Sequence, residues 1–279
     1  MKYENLSLRK ENKKVSITNI SYPVFKKNHS IIKIRYMGIC KTDIDVIHNN
    51  FTIDNITVGH EVSGYIVESD MFEIDTYVGI NPYNENGMNG LNNEGFFSQY
   101  IIVPNNRIHP VSNNLLATYI EPVAASLIDI KEYIGNVAIY GEGRIPNIIF
   151  NILKKGRDDI LLIKNIKDIN VDIQYNTIIQ AEPNSLNDII DIISNNGTIV
   201  LRNRTFQNEK LNSLKFIKKG LSINSFYYND FNLAATYINN NEDFLLEYMG
   251  EIFNMDDWKK AVEKALHSDK KIFLTWDNI

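Results

Sequence analysis

The rhythm of hydrophobic and polar positions changes once along the chain, near residue 117. Before that point apolar residues come in short runs bounded by turn-formers. Ile31-Ile32-Lys33-Ile34-Arg35-Tyr36 alternates loosely, Val62 to Val67 reads as another strand, and Tyr100-Ile101-Ile102-Val103-Pro104 as a third that ends at its proline. Residues 81–95 are mostly turn-formers with little to bury, which predicts a loop. After the change, Ala117 to Tyr133 carries apolar residues at helical spacing. Asn136 to Tyr140 fits a buried strand, followed at once by Gly141-Glu142-Gly143 and an apolar helix-length stretch to Lys155. Ile160–Ile163, Thr177–Ile179 and Gly197–Leu201 continue as strands, with a helix over 187–193 between the last two. Strands alternating with helices predict a parallel sheet covered on both faces. The chain closes with an amphipathic helix from Asp256 to Leu266, acidic in its first turn, and a strand from Ile272 to Trp276. The class is α/β, a β-rich half followed by a βαβ half.

Composition narrows the function classes. With 279 residues the prior is about two domains. A formal net charge of −5 argues against a nucleic-acid partner held by a cationic face. No apolar run reaches the roughly 18 residues of a spanning helix, so no membrane partner is expected. Residues 1–16 lack the apolar core of a secretory signal. Cys40 is the one cysteine, which excludes an intramolecular disulfide and a four-cysteine zinc site, and makes a reducing cytoplasm the expected location.

That cysteine acquires another meaning from its neighbours. Cys40-Lys41-Thr42-Asp43 follows an apolar strand, Gly59-His60-Glu61 opens the next, and Glu121-Pro122 stands at the junction of the two halves. Thiolate, imidazole and carboxylate are all zinc donors, and three protein ligands leave a fourth position for chemistry. Taken singly, each has an ordinary structural explanation: a small buried cysteine, a packed histidine, a helix start.

Their order resembles the zinc-dependent medium-chain alcohol and polyol dehydrogenase family. Gly38 to Asp43 is similar to the family's catalytic-cysteine motif, and Val58 to Gly64 to its histidine motif. Gly95 to Pro104 resembles the strand returning from its lobe, and Ile120 to Ala124 the polyol branch, where glutamate replaces a ligand cysteine. The resemblance implies a GroES-like catalytic domain over 1–121 and 244–279, and a reduced Rossmann-like coenzyme domain over 122–243. It implies zinc on Cys40 and His60, with Glu61 or Glu121 supplying oxygen. Asp43 would fix the His60 ring, and Thr42 would pass the substrate proton outward; both residue types also suit a helix cap. His48 is a candidate for a proton relay or an exposed loop histidine, whereas His29, His109 and His267 read as surface or packing residues. The implied reaction is NAD(P)-linked interconversion of alcohol and carbonyl on a small polyol, sugar or sugar phosphate. Phe253 to Trp258, Leu274 to Trp276 and Tyr36 to Cys40 also resemble the branch that reduces ribulose phosphate. A homodimer or homotetramer, paired through coenzyme-domain edge strands, is expected from the family.

Two departures leave a second reading open, a metal- or ligand-binding protein on a dehydrogenase scaffold without turnover. The third glycine of the dinucleotide fingerprint is replaced by Pro146, although Gly141 and Gly143 keep the tight turn. Where an acidic ribose contact would stand, the chain has Lys164-Asn165; a lysine attracts a 2′-phosphate, so Lys164, with Lys167, favours NADP over NAD. Lys41 and Arg144 complete the expected cofactor contacts. Residues 83–94 hold none of the cysteines of the family's structural-zinc lobe, and only residues 164–177 separate the second and third strands, which predicts a shortened sheet.

Overall fold

The computed structural model describes residues 4–277 except 129–132, 134, 166–172, 182, 184, 203–209, 226–227 and 229. The chain divides into two units, Met1–Val123 with Asp230–Ile279, and Ala124–Asn229.

The first unit opens with a hairpin of β1 (Glu4–Glu11) and β2 (Lys14–Ser21). Its turn residues Asn12 and Lys13 both take left-handed φ, 51° and 61°, the geometry that matches strand twist in a two-residue turn. There follow β3 (His29–Gly38), helix α1 (Lys41–Ile47), β4 (Ile56–Thr57), β5 (Glu61–Ser69) and β6 (Tyr77–Ile80). The loop expected over 81–95 carries only the short pair β7 (Tyr83–Asn84) and β8 (Gly87–Met88), yet it buries Met88 and Asn89. β9 (Tyr100–Pro104) and β10 (Ile108–Pro110) precede α2 (Ile120–Ser126). The helix expected over 117–133 is thus shorter and starts later. Pro122 has no N–H to continue an α-helical ladder backwards, so it sits in the first turn, and residues Leu116–Tyr119 form a tighter 3-10 turn instead.

The second unit is a parallel sheet. In chain order it contains β11 (Val137–Tyr140), α3 (Arg144–Lys154), β12 (Ile160–Ile163), β13 (Tyr175–Gln180), α4 (Leu186–Ile192), β14 (Ile193–Leu201), α5 (Ser213–Lys219) and β15 (Ser222–Ser225). The described strands lie in the order β12-β11-β13-β14-β15, so the connection direction reverses between β11 and β13, where open α/β sheets bind ligands. Ala138, Ile178 and Ile199 pack with Leu186, Ile189 and Ile190 on one face; Val137, Ile139, Ile179 and Val200 pack with Ile149 and Leu153 on the other. Burial on both faces accounts for the near-continuous apolar runs.

The chain re-enters the first unit at Asp230, ahead of 244, through α6 (Phe231–Asn239) and α7 (Glu242–Leu246). α6 buries Phe231, Ala234, Ala235 and Ile238, and polar contacts add to this: His109 Nδ1 and Asn232 Oδ1 lie 3.0 Å apart, and the Ser112 hydroxyl meets Asn239 and Glu242. β16 (Met249–Asn254), α8 (Trp258–Leu266) and β17 (Lys271–Thr275) complete the unit. The main sheet runs β10-β6-β5-β3-β17-β16, with β9 also paired to β3. The C-terminal strand therefore lies beside the strand that leads to Cys40.

Candidate metal centre

The sheet register builds the site. Gly38, at the end of β3, pairs with Glu61 on one side and with Phe273 on the other. Cys40 follows as the extended N-cap of α1, and His60 immediately precedes β5. Cys40 is thus brought to the same sheet end as the adjacent pair His60 and Glu61, twenty residues further along the chain.

A sulfur from Cys40, a ring nitrogen from His60 and a carboxylate oxygen from Glu61 all lie within 4.8 Å of one another. His60 and Glu61 are each 2% exposed. The Asp43 carboxylate serves two partners. Its Oδ2 accepts from the Cys40 backbone N–H at 2.9 Å, capping α1, and its Oδ1 accepts from His60 Nδ1 at 2.7 Å. With Nδ1 so engaged, Nε2 is left toward Glu61 Oε1, 3.8 Å away. Helix cap and ring orientation are one device.

The donors are electrostatically primed. Burial alone would depress the His60 imidazole, but Asp43 and then Cys40 outweigh it and hold His60 well above its ordinary value. Burial would raise the Cys40 thiol; His60 and Lys271 reverse this and bring it below its usual value. A tetrahedral zinc ion with N, O and S ligands separates its donors by about 3.3–3.8 Å, a spacing this cluster approaches before any ion draws it together. Soft sulfur, imidazole and carboxylate on a dry floor fit such an ion.

Sequence reasoning missed Lys271. It opens β17, is 2% exposed, and its Nζ pairs with Glu61 Oε2. A side chain at Gly38 would stand 2.9 Å from Lys271 Cε, so the glycine gives the lysine its passage. The Nζ also lies 6.0 Å from the centre of the Tyr119 ring. Burial lowers the Lys271 ammonium, opposed by the charges of Cys40 and Asp43. With the imidazole neutral, as a metal ligand must be, thiolate, two carboxylates and one ammonium sum to a double negative charge, which a divalent cation would neutralise. The only sequence signal was a lysine at the head of an apolar strand.

The other candidates fall elsewhere. Glu121 is buried in the first turn of α2 and is not one of the three clustered donors. Thr42 is half-buried in the first turn of α1 and Lys41 is exposed there. His48 is exposed at the opposite end of α1, as its C-cap, so the structure does not bring it to the cluster.

In the second unit, Gly141 and Gly143 take φ of 147° and 89° between β11 and α3. A Cβ at Gly143 would meet nothing within 4 Å, and no side chain caps α3. The turn offers open space and uncapped N–H groups, which suits a pyrophosphate. Pro146 is buried in the first turn, and Ile148 and Ile149 behind it are fully buried, so α3 packs without the third glycine. Arg144 begins the helix, half-buried, and Lys164 is exposed just beyond β12. Lys167 lies outside the described residues.

Residues 26–113 match the model of the alcohol dehydrogenase GroES-like domain. No curated protein matches the chain in sequence. Among solved structures, S. aureus TarJ in complex with NADPH is similar over 99% of this chain and 100% of that one, with 19% identity and a TM-score of 0.82. L-idonate 5-dehydrogenase from Escherichia coli covers 99% of each chain at 17% identity and a TM-score of 0.81. Galactitol-1-phosphate dehydrogenase from Escherichia coli covers 98% of this chain and 100% of its own at 16% identity and 0.80. Residues 26–113 are thus an alcohol dehydrogenase GroES-like domain, and the chain has the fold of the medium-chain alcohol and polyol dehydrogenases.

Proposed function

We propose that the chain is a zinc-dependent, NAD(P)-linked oxidoreductase that interconverts an alcohol and a carbonyl on a small polyol, sugar or sugar phosphate. The observation that carries this reading is the Cys40–His60–Glu61 cluster, its cysteine half-buried and its other two members buried, with Asp43 on the histidine's outer nitrogen. A zinc ion held there acts as a Lewis acid on a substrate oxygen. Cys40, His60 and Glu61 are the ligands in this reading; Asp43 holds His60 Nδ1 and so aims the ring, and Lys271 holds the far oxygen of Glu61. Thr42, half-buried beside Cys40, passes the substrate proton outward. Glu61 is preferred to Glu121 as the oxygen ligand because it is the carboxylate in the cluster.

Gly141, Gly143 and Arg144 bind the coenzyme pyrophosphate in this proposal, and Lys164 favours NADP through its 2′-phosphate. The open turn at Gly143 supports it. Similarity in fold to TarJ in complex with NADPH and to two polyol-type dehydrogenases supports the substrate class. A homo-oligomer in a cytoplasmic setting completes the reading.

The test combines metal analysis with thermal shifts and NADPH oxidation over a panel of ketoses and ketose phosphates. Ligands that bind the native state raise its stability, by about 2.7 kcal/mol at a hundredfold excess over Kd. Zinc and NADP should each raise Tm, a chelator should lower it, and at least one ketose should be reduced. Response to zinc and chelator but to neither nucleotide would move the reading to a binding protein. Absence of zinc together with no nucleotide response would end it.

A further inference from the structure

The lobe between β6 and β9 is held by an arginine. Arg107 ends the 3-10 turn Asn105–Arg107. Its backbone oxygen accepts from the Asn81 N–H at 2.9 Å, while its Nε donates to the Asn81 carbonyl at 2.9 Å. Its Nη2 donates to Asn89 Oδ1 at 2.5 Å, and the guanidinium lies 5.7 Å from the centre of the Phe96 ring. Asn89 in turn donates from Nδ2 to the Glu94 carbonyl at 2.5 Å and from its backbone to Pro82 at 2.9 Å. One planar fork therefore touches the lobe's entrance, middle and exit.

The exit leads to the metal centre. The N–H groups of Gly95, Phe96 and Phe97 donate to the carbonyls of Thr57, Gly59 and Val58, at 2.9, 2.9 and 3.0 Å. The Phe97 ring lies against Gly59 so closely that a Cβ there would be 1.9 Å from it, and Gly59 takes φ of +90°. The next residue is His60. From Arg107 to the histidine there are only two intermediate contacts, the Phe96 ring and the Gly59 backbone.

Arg107 is also costly. Burial pulls its guanidinium down to about 10, and among the described residues it makes no ion pair. A half-buried cation with neutral partners opposes folding unless its contacts compensate. Five N–H donors in a rigid plane can pin three segments at once, which a lysine cannot do.

We propose that Arg107 is a positioning residue for the metal centre: it clamps the cysteine-free lobe onto residues 57–59 and thereby fixes the origin of His60. The clamp rests on the metal reading given above.

The test uses the full chain with Arg107→Met, Arg107→Lys and Asn89→Ala, and Glu85→Gln at the exposed lobe tip as control. Zinc affinity is measured by chelator competition, the zinc-dependent rise in Tm by thermal shift, and lobe opening by limited proteolysis without metal. Arg107→Met should speed cleavage within 83–94 and weaken zinc by about tenfold, the lower end of what displaced outer partners cost metal sites. The zinc-dependent rise in Tm should shrink with it, which a purely structural loss would leave unchanged. Arg107→Lys should rescue neither, Asn89→Ala should show the same loss at smaller size, and Glu85→Gln should behave as wild type. Wild-type zinc affinity in a folded Arg107→Met, or in Asn89→Ala if the first does not fold, overturns the clamp. If the unaltered chain binds no zinc, the metal reading fails first and the positioning role falls with it.

Discussion

At the scale of single residues, Lys271 carries the heaviest electrostatic charge. It is buried against Glu61, and removing one member of a buried pair typically costs about 3–5 kcal/mol because the other charge is left without compensation. Lys271→Met should therefore lower the metal-free unfolding free energy by about that amount in urea titrations. Zinc should restore more stability in the variant than in the unaltered chain, because the ion then supplies the missing positive charge beside Glu61. A loss below about 1 kcal/mol would mean the pair is not formed in solution. The same residue marks the limit of what the sequence discloses. Cys40 and Asp43 are three positions apart, so their shared cap is a local pattern that can be read directly. His60 is legible because Gly59-His60-Glu61 opens a strand and Val58 to Gly64 resembles a known histidine motif. Lys271 meets Glu61 only because β17 enters the sheet beside β3, and no local pattern encodes that register.

At the scale of elements, strongly periodic segments were readable and weakly patterned ones were not. The strands β11, β12 and β13 stand out as apolar runs between turn residues. The β1–β2 hairpin does not, because polar residues line it and its turn is Asn-Lys rather than Asn-Gly, although both residues adopt the left-handed geometry. Helix α6 was missed although Phe231, Ala234, Ala235 and Ile238 form a buried face at helical spacing; the face is short and two of its four members are alanines. His109, 5% exposed, stacks on Phe231 with ring centres 5.6 Å apart and meets Asn232 through Nδ1. Burial depresses the His109 imidazole below its usual 6.5, only partly offset by Asn232 and the charge of Asp230. The unfolded chain then binds the proton more readily than the native state does. His109 thus stabilises the native state fully above pH ~6.5, and that contribution is lost as pH falls through this value toward the lower folded one. His60, held well above its ordinary value, acts with the opposite sign: its contribution is present below pH ~6.5 and lost as pH rises through its folded value. Comparing Tm between pH 7.5 and 5.5 in the unaltered chain and in His109→Phe cancels the His60 part. The variant should lose less Tm on acidification, and equal slopes would show that His109 does not titrate against the fold.

At the scale of the whole molecule, the second unit ends, among the described residues, in a strand paired on one side only. β15 pairs with β14 on one side, and all four of its residues are exposed. The helix before it, α5, buries no residue at all, with Leu214 61% and Ile217 72% exposed, and Ile223 on the strand is 38% exposed. An exposed edge strand beside exposed leucine and isoleucine is a template for pairing, and proteins that stay monomeric commonly blunt such edges with charge or proline. None of Ser222, Ile223, Asn224 and Ser225 is charged. A second copy of the chain meeting this edge about a two-fold axis would continue the sheet and cover the apolar helix in one step, since an isologous contact presents the same patch to itself. The full chain should therefore sediment as a dimer or a higher even assembly at micromolar concentration. Ile223→Lys combined with Leu214→Asp should shift it to monomer, while the Cys40–His60–Glu61 cluster, which lies in the first unit, keeps its zinc affinity. A monomeric unaltered chain in sedimentation equilibrium, or a double variant that assembles as before, would remove the edge from consideration as the interface.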